Sequence, residues 1–229
     1  MSLFKRSVCL AAVIFAASAA VALAATITGT MGNDFLVGTH SSDTISAKDG
    51  NDTVFGQARL APYSGTDDTI DGANGDDTLY GDGTCSGATA SASSSVFCDT
   101  GETQYDGNDN ISGGDGSDMI AGQGGNDTLD GGNKDDTIYG GSGNDAISGS
   151  DGGDTLNGDA GNDTINGGIG GDTITGGSGA DTISGGDGGD TINARDGVKD
   201  TISCGSGNDT VSADTIDTVS KDCESVSRR

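Results

Sequence analysis

The sequence predicts an all-β solenoid assembled from nine-residue repeats, and three observations predict it. Aspartate recurs every nine residues at Asp109, Asp118, Asp127, Asp136, Asp145, Asp154, Asp163, Asp172, Asp181 and Asp190, ten registers without a gap. Two places after each stands a large aliphatic: Ile111, Ile120, Leu129, Ile138, Ile147, Leu156, Ile165, Ile174, Ile183 and Ile192. Glycine fills much of the remainder, with 43 Gly against one Pro and no Trp in 229 residues. So few large side chains cannot build a conventional core, whereas short repeats stacked on one another bury a continuous one.

The first 24 residues read as a secretory leader. Lys5 and Arg6 form a basic start, Val8 to Val21 is an apolar stretch, and Ala22-Leu23-Ala24 is a small-x-small cleavage signal. A membrane anchor fits less well, because the apolar stretch is short and no stop-transfer charges follow it. Cys9 leaves with the leader. The expected organisation is 1–24 signal peptide, 25–203 repeat domain and 204–229 C-terminal cap, in a secreted, extracellular protein.

Charge separates this chain from a generic acidic tail. The formal net charge is −26, and becomes −28 without Lys5 and Arg6. Of the 36 acidic residues only Glu102 and Glu224 are glutamate; the other 34 are aspartate, which tolerates turns and bonds to nearby backbone. The acid is therefore positional. Such a surface repels nucleic acid and anionic lipid and attracts cations.

The period extends beyond its uninterrupted stretch. Upstream it continues through Asp34, Asp43 and Asp52, breaks at about 57–64, resumes at Asp68 and Asp77, and breaks again at about 81–103. Downstream one extra residue shifts the phase to Asp200 and Asp209. The two breaks read as loops projecting from a regular stack. Four cysteines remain after leader removal. The spacing suggests Cys85–Cys98 and Cys204–Cys223, although three connectivities are open to an exported chain with four cysteines. Zinc ligation is the alternative, but no CxxC pair is present and His40, the single histidine, is distant in sequence.

The pattern GGxGxDxUx, with U a large aliphatic, appears in residues 140–148 (GGSGNDAIS) and 176–184 (GGSGADTIS). It resembles the haemolysin-type calcium-binding nonapeptide repeat of RTX proteins. The resemblance implies a right-handed parallel β-roll, a calcium-stabilised β-solenoid in which six residues form a turn and three a short strand. Two nonapeptides make one coil, and several calcium ions sit between turns on the same edge. On this basis 25–203 is a calcium-binding β-roll with two loop insertions. The resemblance places the metal on Asp34, Asp43, Asp52, Asp68, Asp77, Asp109, Asp118, Asp127, Asp136, Asp145, Asp154, Asp163, Asp172, Asp181, Asp190, Asp200 and Asp209. The turn glycines Gly116, Gly125, Gly143, Gly161, Gly170, Gly179 and Gly188 join them.

The residue types suit that chemistry. Calcium takes about six to eight oxygens, from carboxylates and backbone carbonyls. Turns that aim carbonyls at an ion need positive φ and no Cβ in the way, which selects glycine. Two repeats per coil align Asp118, Asp136, Asp154, Asp172 and Asp190 on one edge, and Asp109, Asp127, Asp145, Asp163 and Asp181 on the other. Unpaired carboxylates about 4.8 Å apart repel one another, and cations between them reverse that sign. One large aliphatic per nine residues is a small return for ordering nine backbones, so folding is expected to need the ions.

Other positions have plainer readings. Asn126, Asp135, Asn144, Asn162 and Asn208, each just before the repeat aspartate, suit either ligation or a turn. Asp49, Asp115, Asp151 and Asp187 share a position with Ile169 and Ala160, which argues against a ligand there. Thr128, Thr137, Thr155, Thr164, Thr173, Thr182, Thr191, Thr201 and Thr210 fit an outward-facing strand position. No catalytic constellation assembles: GxSxG and HExxH are absent, His40 stands alone, and Asp67-Asp68 and Asp135-Asp136 both fall in the repeat register. RTX rolls often adjoin an enzyme domain, and the present chain carries no such segment. It also departs from that family in its N-terminal leader and its cysteine-bearing end. There Cys204–Cys223 is expected to staple the last coil while Ile216, Val219 and Val226 close the core. The expected function is a secreted, non-enzymatic, calcium-binding repeat protein with a structural or interaction role and no membrane insertion. The alternative is an adhesin, or a matrix or ice-binding surface protein, with the roll as scaffold and an extracellular protein or glycan as partner.

Overall fold

Alternation within each repeat sets the architecture. In the segment Thr137-Ile138-Tyr139, the middle side chain points inward and its neighbours outward, the period-two pattern of a strand. The structure, a computed structural model, describes residues 24–39, 41–56, 66–82 and 107–229, together with the backbone of strand Val13–Phe15. His40, Cys85, Cys98, the expected loop at 57–64 and nearly all of that at 81–103 lie outside the described residues.

The described residues form a parallel β-solenoid with no helix. Strands alternate between an 11-stranded and a 10-stranded sheet, every pairing parallel and between every second strand of the chain. Strand Thr128–Asn133 pairs with Asn110–Asp115 on one side and Ala146–Asp151 on the other, whereas Met119–Gly124 and Thr137–Ser142 lie in the opposite sheet. Thr128 stands opposite Ala146 and Leu129 opposite Ile147, a shift of 18 residues, so one coil is two nonapeptides as expected. Val13–Phe15, within the segment read as leader, pairs with Phe35–Val37.

The core is one aliphatic deep from each sheet. Ile111, Leu129, Ile147 and Ile165 line one wall, with Ile120, Ile138, Leu156 and Ile174 on the other, all at 3% exposure or less. Outside, Phe55 stacks on Tyr80 with ring centroids 4.8 Å apart, and Phe35 tilts against Phe55. The threonine column faces outward, as at Thr128, Thr155 and Thr164. The two interruptions leave the stack in register: matching aspartates are 18 residues apart within the regular coils, 25 across the first break and 41 across the second.

The carboxyl-terminal residues continue both sheets through Thr201–Gly207, Thr210–Ala213, Thr218–Val219 and Ser225–Arg228. Cys204 and Cys223 are disulfide-bonded. The expectation that Ile216, Val219 and Val226 close the core holds only for Val219, which packs against it. Ile216 and Val226 are 52% and 39% exposed: Ile216 lies in a turn, and Val226, in register with the buried Val211, stands on the edge strand with no coil beyond to cover it.

Glycine is imposed by the approach of successive coils. A Cβ on Gly161, whose φ is +149°, would overlap the carbonyl of Gly143, whereas one on Gly153 meets nothing nearer than 3.4 Å. Gly161→Ala is therefore expected to destabilise the folded protein by about 2 kcal/mol or more, and Gly153→Ala to be close to neutral. Thermal unfolding of the two variants at one fixed calcium concentration checks the difference.

Candidate metal-binding rows

Each repeat aspartate occupies the inner side of a turn, just before its strand. All seventeen are buried, at 5% exposure or less. They form two rows along the solenoid. One runs Asp34, Asp52, Asp77, Asp118, Asp136, Asp154, Asp172, Asp190 and Asp209; the other runs Asp43, Asp68, Asp109, Asp127, Asp145, Asp163, Asp181 and Asp200.

The link within a row is a hydrogen bond from the backbone N–H of one aspartate to Oδ1 of the aspartate one coil further on. Asp118 donates to Asp136, Asp136 to Asp154 and Asp154 to Asp172, each at 2.8 Å. The backbone carbonyl of the same aspartate accepts from the first strand residue of the next coil, as Asp136 does from Thr155 at 2.9 Å. The carboxylates are thus not the wholly unpaired set expected from sequence, since alignment also brings a turn amide to one oxygen of each.

In twelve of the seventeen the second oxygen has no such partner, whereas Oδ2 of Asp34 and Asp43 accepts the Thr30 and Thr39 amides. Oδ2 of Asp52, Asp77, Asp118, Asp136, Asp154, Asp172, Asp190 and Asp209 in one row is buried without a hydrogen bond, as is Oδ2 of Asp68, Asp145, Asp163 and Asp181 in the other. It faces a glycine five places before its aspartate in the unbroken repeats. A Cβ on Gly140 would lie 2.5 Å from Asp145 Oδ2 and 2.7 Å from the carbonyl oxygen of Gly158 in the next coil. Two oxygens of adjacent coils therefore converge where a side chain would sit, with no donor between them. This glycine column was not among the residues singled out from sequence.

Burial and crowding of like charge act together on these acids. Desolvation, with neighbouring aspartates adding to it, pushes Asp68, Asp77, Asp136 and Asp163 up to about 7. Burial likewise raises Asp118, Asp145, Asp172 and Asp200 to about 6. Among the described residues no three His, Cys, Asp or Glu side chains converge as a metal cluster. A cation between coils would have to take most of its oxygens from the backbone.

The glycines singled out from sequence lie at the coil edges. Gly125, Gly143, Gly161, Gly170, Gly179 and Gly188 have φ between +107° and +152°; Gly116 is not left-handed, although a Cβ there would overlap the carbonyl of Gly75. Their amides donate to the next coil, as Gly143 does to Ala160 O at 2.8 Å. The residues just before the aspartates form an exposed outer ladder running the opposite way. Oδ1 of Asn126 accepts from the Asn144 amide, Asn144 from Asn162, Asn162 from Ala180, and Asp135 from Gly153. Their side chains serve the turn; Asn208 is exposed. Asp49 accepts from Asn74 and Asp115 from Asn133, on the outside of the coil.

Sequence reasoning missed three further acids at the carboxyl end. Asp217 Oδ1 accepts the Asp200 amide and Glu224 Oε2 accepts the Asp209 amide, so these two residues terminate the rows. Asp222 Oδ2 accepts from Ser203 Oγ and the Gly205 amide. All three stand off the nine-residue register, so periodicity gave no signal for them.

The family model for the RTX calcium-binding nonapeptide repeat (4 copies) matches residues 28–58, 64–83, 105–138, 122–156, 130–165 and 166–198, more than half of the chain. No curated protein matches it.

A carboxyl whose pKa is raised by folding favours the folded state when protonated. That stabilisation is complete below the unfolded value near 4 and is lost as pH rises through the folded values of about 6–7. In chelator the protein is therefore expected to gain β structure on acidification from pH 7.5 to about pH 4, measurable by circular dichroism. A chelated protein equally ordered at both pH values contradicts the burial of ionised rows.

Proposed function

Because the chain belongs to the RTX calcium-binding nonapeptide-repeat family, we propose that it is a secreted scaffold protein whose folding is driven by calcium entering between its coils. The observation that carries this reading is the pair of buried rows in which Oδ2 of twelve aspartates, among them Asp118, Asp136, Asp145, Asp154 and Asp163, has no hydrogen-bond donor and lies beside a glycine column lined by carbonyls of the next coil. Calcium supplies positive charge and accepts several oxygens at once, which is what such a place lacks. The residues placed to hold it are the aspartates of both rows, from Asp34 to Asp209. The remaining oxygens come from carbonyls of the edge glycines, among them Gly125, Gly143, Gly161, Gly170 and Gly188. The aspartates bring charge, the glycines let adjacent coils approach, and the outer asparagine ladder fixes the turns.

Extracellular action fits the leader of residues 1–24 and the ion. Calcium modules that work outside cells bind at about 10⁻⁴–10⁻³ M, so such a chain stays unfolded before export and folds after it. The role supported is structural or interactive, with the roll as a rigid spacer. No helix of the described residues is long and apolar enough to cross a membrane.

Calcium titration of the leader-free protein is expected to raise the β signal and reduce hydrodynamic radius cooperatively, with several ions per chain at saturation by equilibrium dialysis. A spectrum in excess chelator that already matches the calcium-loaded one defeats the reading. Asp154→Asn keeps an acceptor for the Asp136 amide and removes one charge from the middle of a row. It is expected to weaken calcium-linked stability by about 1–2 kcal/mol while improving β content in chelator.

A further inference from the structure

The carboxyl end is built differently from the coils before it. Three consecutive residues, Asp222, Cys223 and Glu224, each grip the last regular coil. Asp222 accepts from Ser203 Oγ and the Gly205 amide at 3.2 and 3.1 Å, Cys223 is bonded to Cys204, and Glu224 accepts the Asp209 amide at 3.0 Å. Cys204 itself stands in the glycine column, in register with Gly185 one coil earlier. It is wholly buried, while Cys223 is only partly so. Asp209 is the last repeat aspartate of its row, and its Oδ2 is buried without a hydrogen bond.

From this we propose that the Cys204–Cys223 disulfide is a redox latch that sets how tightly the last coil takes calcium. The proposal rests on the calcium reading above. The latch acts through position. With the disulfide closed, Glu224 is one residue from a covalent anchor in the core and is held against the Asp209 amide, so the turn carrying Asp209 is ordered before an ion arrives. A dithiol reductant delivers two electrons and two protons, converting the disulfide to two thiols and itself to a disulfide. Asp222 and Glu224 then lose their covalent anchor and are held by their own hydrogen bonds, between the two-residue strand Thr218–Val219 and the edge strand Ser225–Arg228, which pairs on one side only. Ordering that turn becomes a cost charged to calcium binding, and the apparent affinity falls. The latch lies at the end of the stack, where a small dithiol reaches Cys223.

The test is amide hydrogen exchange across a calcium titration of the leader-free protein, oxidised and dithiol-reduced, read separately for residues 199–229 and 128–175. The calcium midpoint of the terminal segment is expected to rise at least about threefold on reduction, and that of the middle coils by less. The double variant Cys204→Ala with Cys223→Ala is expected to match the reduced protein and to ignore dithiol, which excludes Cys85 and Cys98 as the source. Alanine already occupies the same column at Ala47 and is buried there, so the replacement fits. Glu224→Ala in the oxidised protein is expected to reproduce part of the terminal shift, and Glu224→Gln, which keeps an acceptor, less of it. Equal midpoints in both redox states, or an equal shift along the whole roll, overturn the latch and leave the calcium reading standing. Absence of any calcium-dependent protection in the oxidised protein overturns that reading, and the latch with it.

Discussion

Most turns of this solenoid put a carboxylate where water does not reach and leave one of its oxygens without a donor. Oδ1 accepts an amide from the preceding coil, while Oδ2 meets a carbonyl oxygen of the following one. A buried hydrogen bond to an ionised acceptor is among the stronger ones available, and a buried oxygen facing another oxygen is among the costlier arrangements. The same side chain therefore links the coils and holds them apart. Which effect prevails depends on what else occupies the gap, so the stack is conditional: protons or divalent cations relieve the opposition, and neither is supplied by the polypeptide.

The rest of the composition follows from that geometry. Because the aspartate turns inward, the column beside its Oδ2 takes a small side chain or none: glycine in most coils, and Ala47, Ala194, Cys204 and Ala213 in others. Because carbonyls of successive edge glycines lie almost on the next glycine, a second column is glycine as well. What remains for burial is one aliphatic per strand. The core is thin but unbroken, and each coil finds its hydrophobic partners in the coils beside it. Insertions are tolerated for the same reason. The interruption between Gly56 and Asp68 changes no register, since each contact runs between coils at equivalent positions.

How much of this could be read from sequence depended on whether a feature obeyed the nine-residue period. The inward aliphatics and the outward threonines are periodic and were legible from the period; the coil of two repeats, and with it the two rows, was legible through the resemblance that the periodic pattern carries. The second oxygen of each aspartate was not, because a period fixes which face a side chain takes and not which atoms it meets. Asn126 and Asn144 were ambiguous for a related reason: residue type suits both a ligand and a turn, and only the amide of the next coil distinguishes them. At the carboxyl end the period stops. Asp217 and Glu224 lie 17 and 15 residues beyond the aspartates they serve, so no spacing rule finds them, and Ile216 was read as core although it is exposed. The disulfide was legible by another route, since the spacing of Cys204 and Cys223 suggested that pairing among the three connectivities open to four cysteines.

The carboxyl end of the stack poses a problem that the regular coils do not. A solenoid coil is stable because neighbours on both sides satisfy its amides and cover its aliphatics, and an end coil lacks one of them. At the carboxyl end the chain provides substitutes of another chemistry. Asp217 accepts the amide of Asp200 and also that of Asp214, Glu224 accepts that of Asp209, and Arg195 and Arg228 donate to backbone carbonyls of the last strands and turns. Both oxygens of Asp217 are thereby hydrogen-bonded, whereas Oδ2 of Asp145, Asp163 and Asp181 in the row it terminates has no donor. At Asp217 the closing coil leaves no carboxylate oxygen without a donor, and its order is set by covalent and hydrogen bonds. That asymmetry gives the repeat coils a fixed boundary from which their register can be counted.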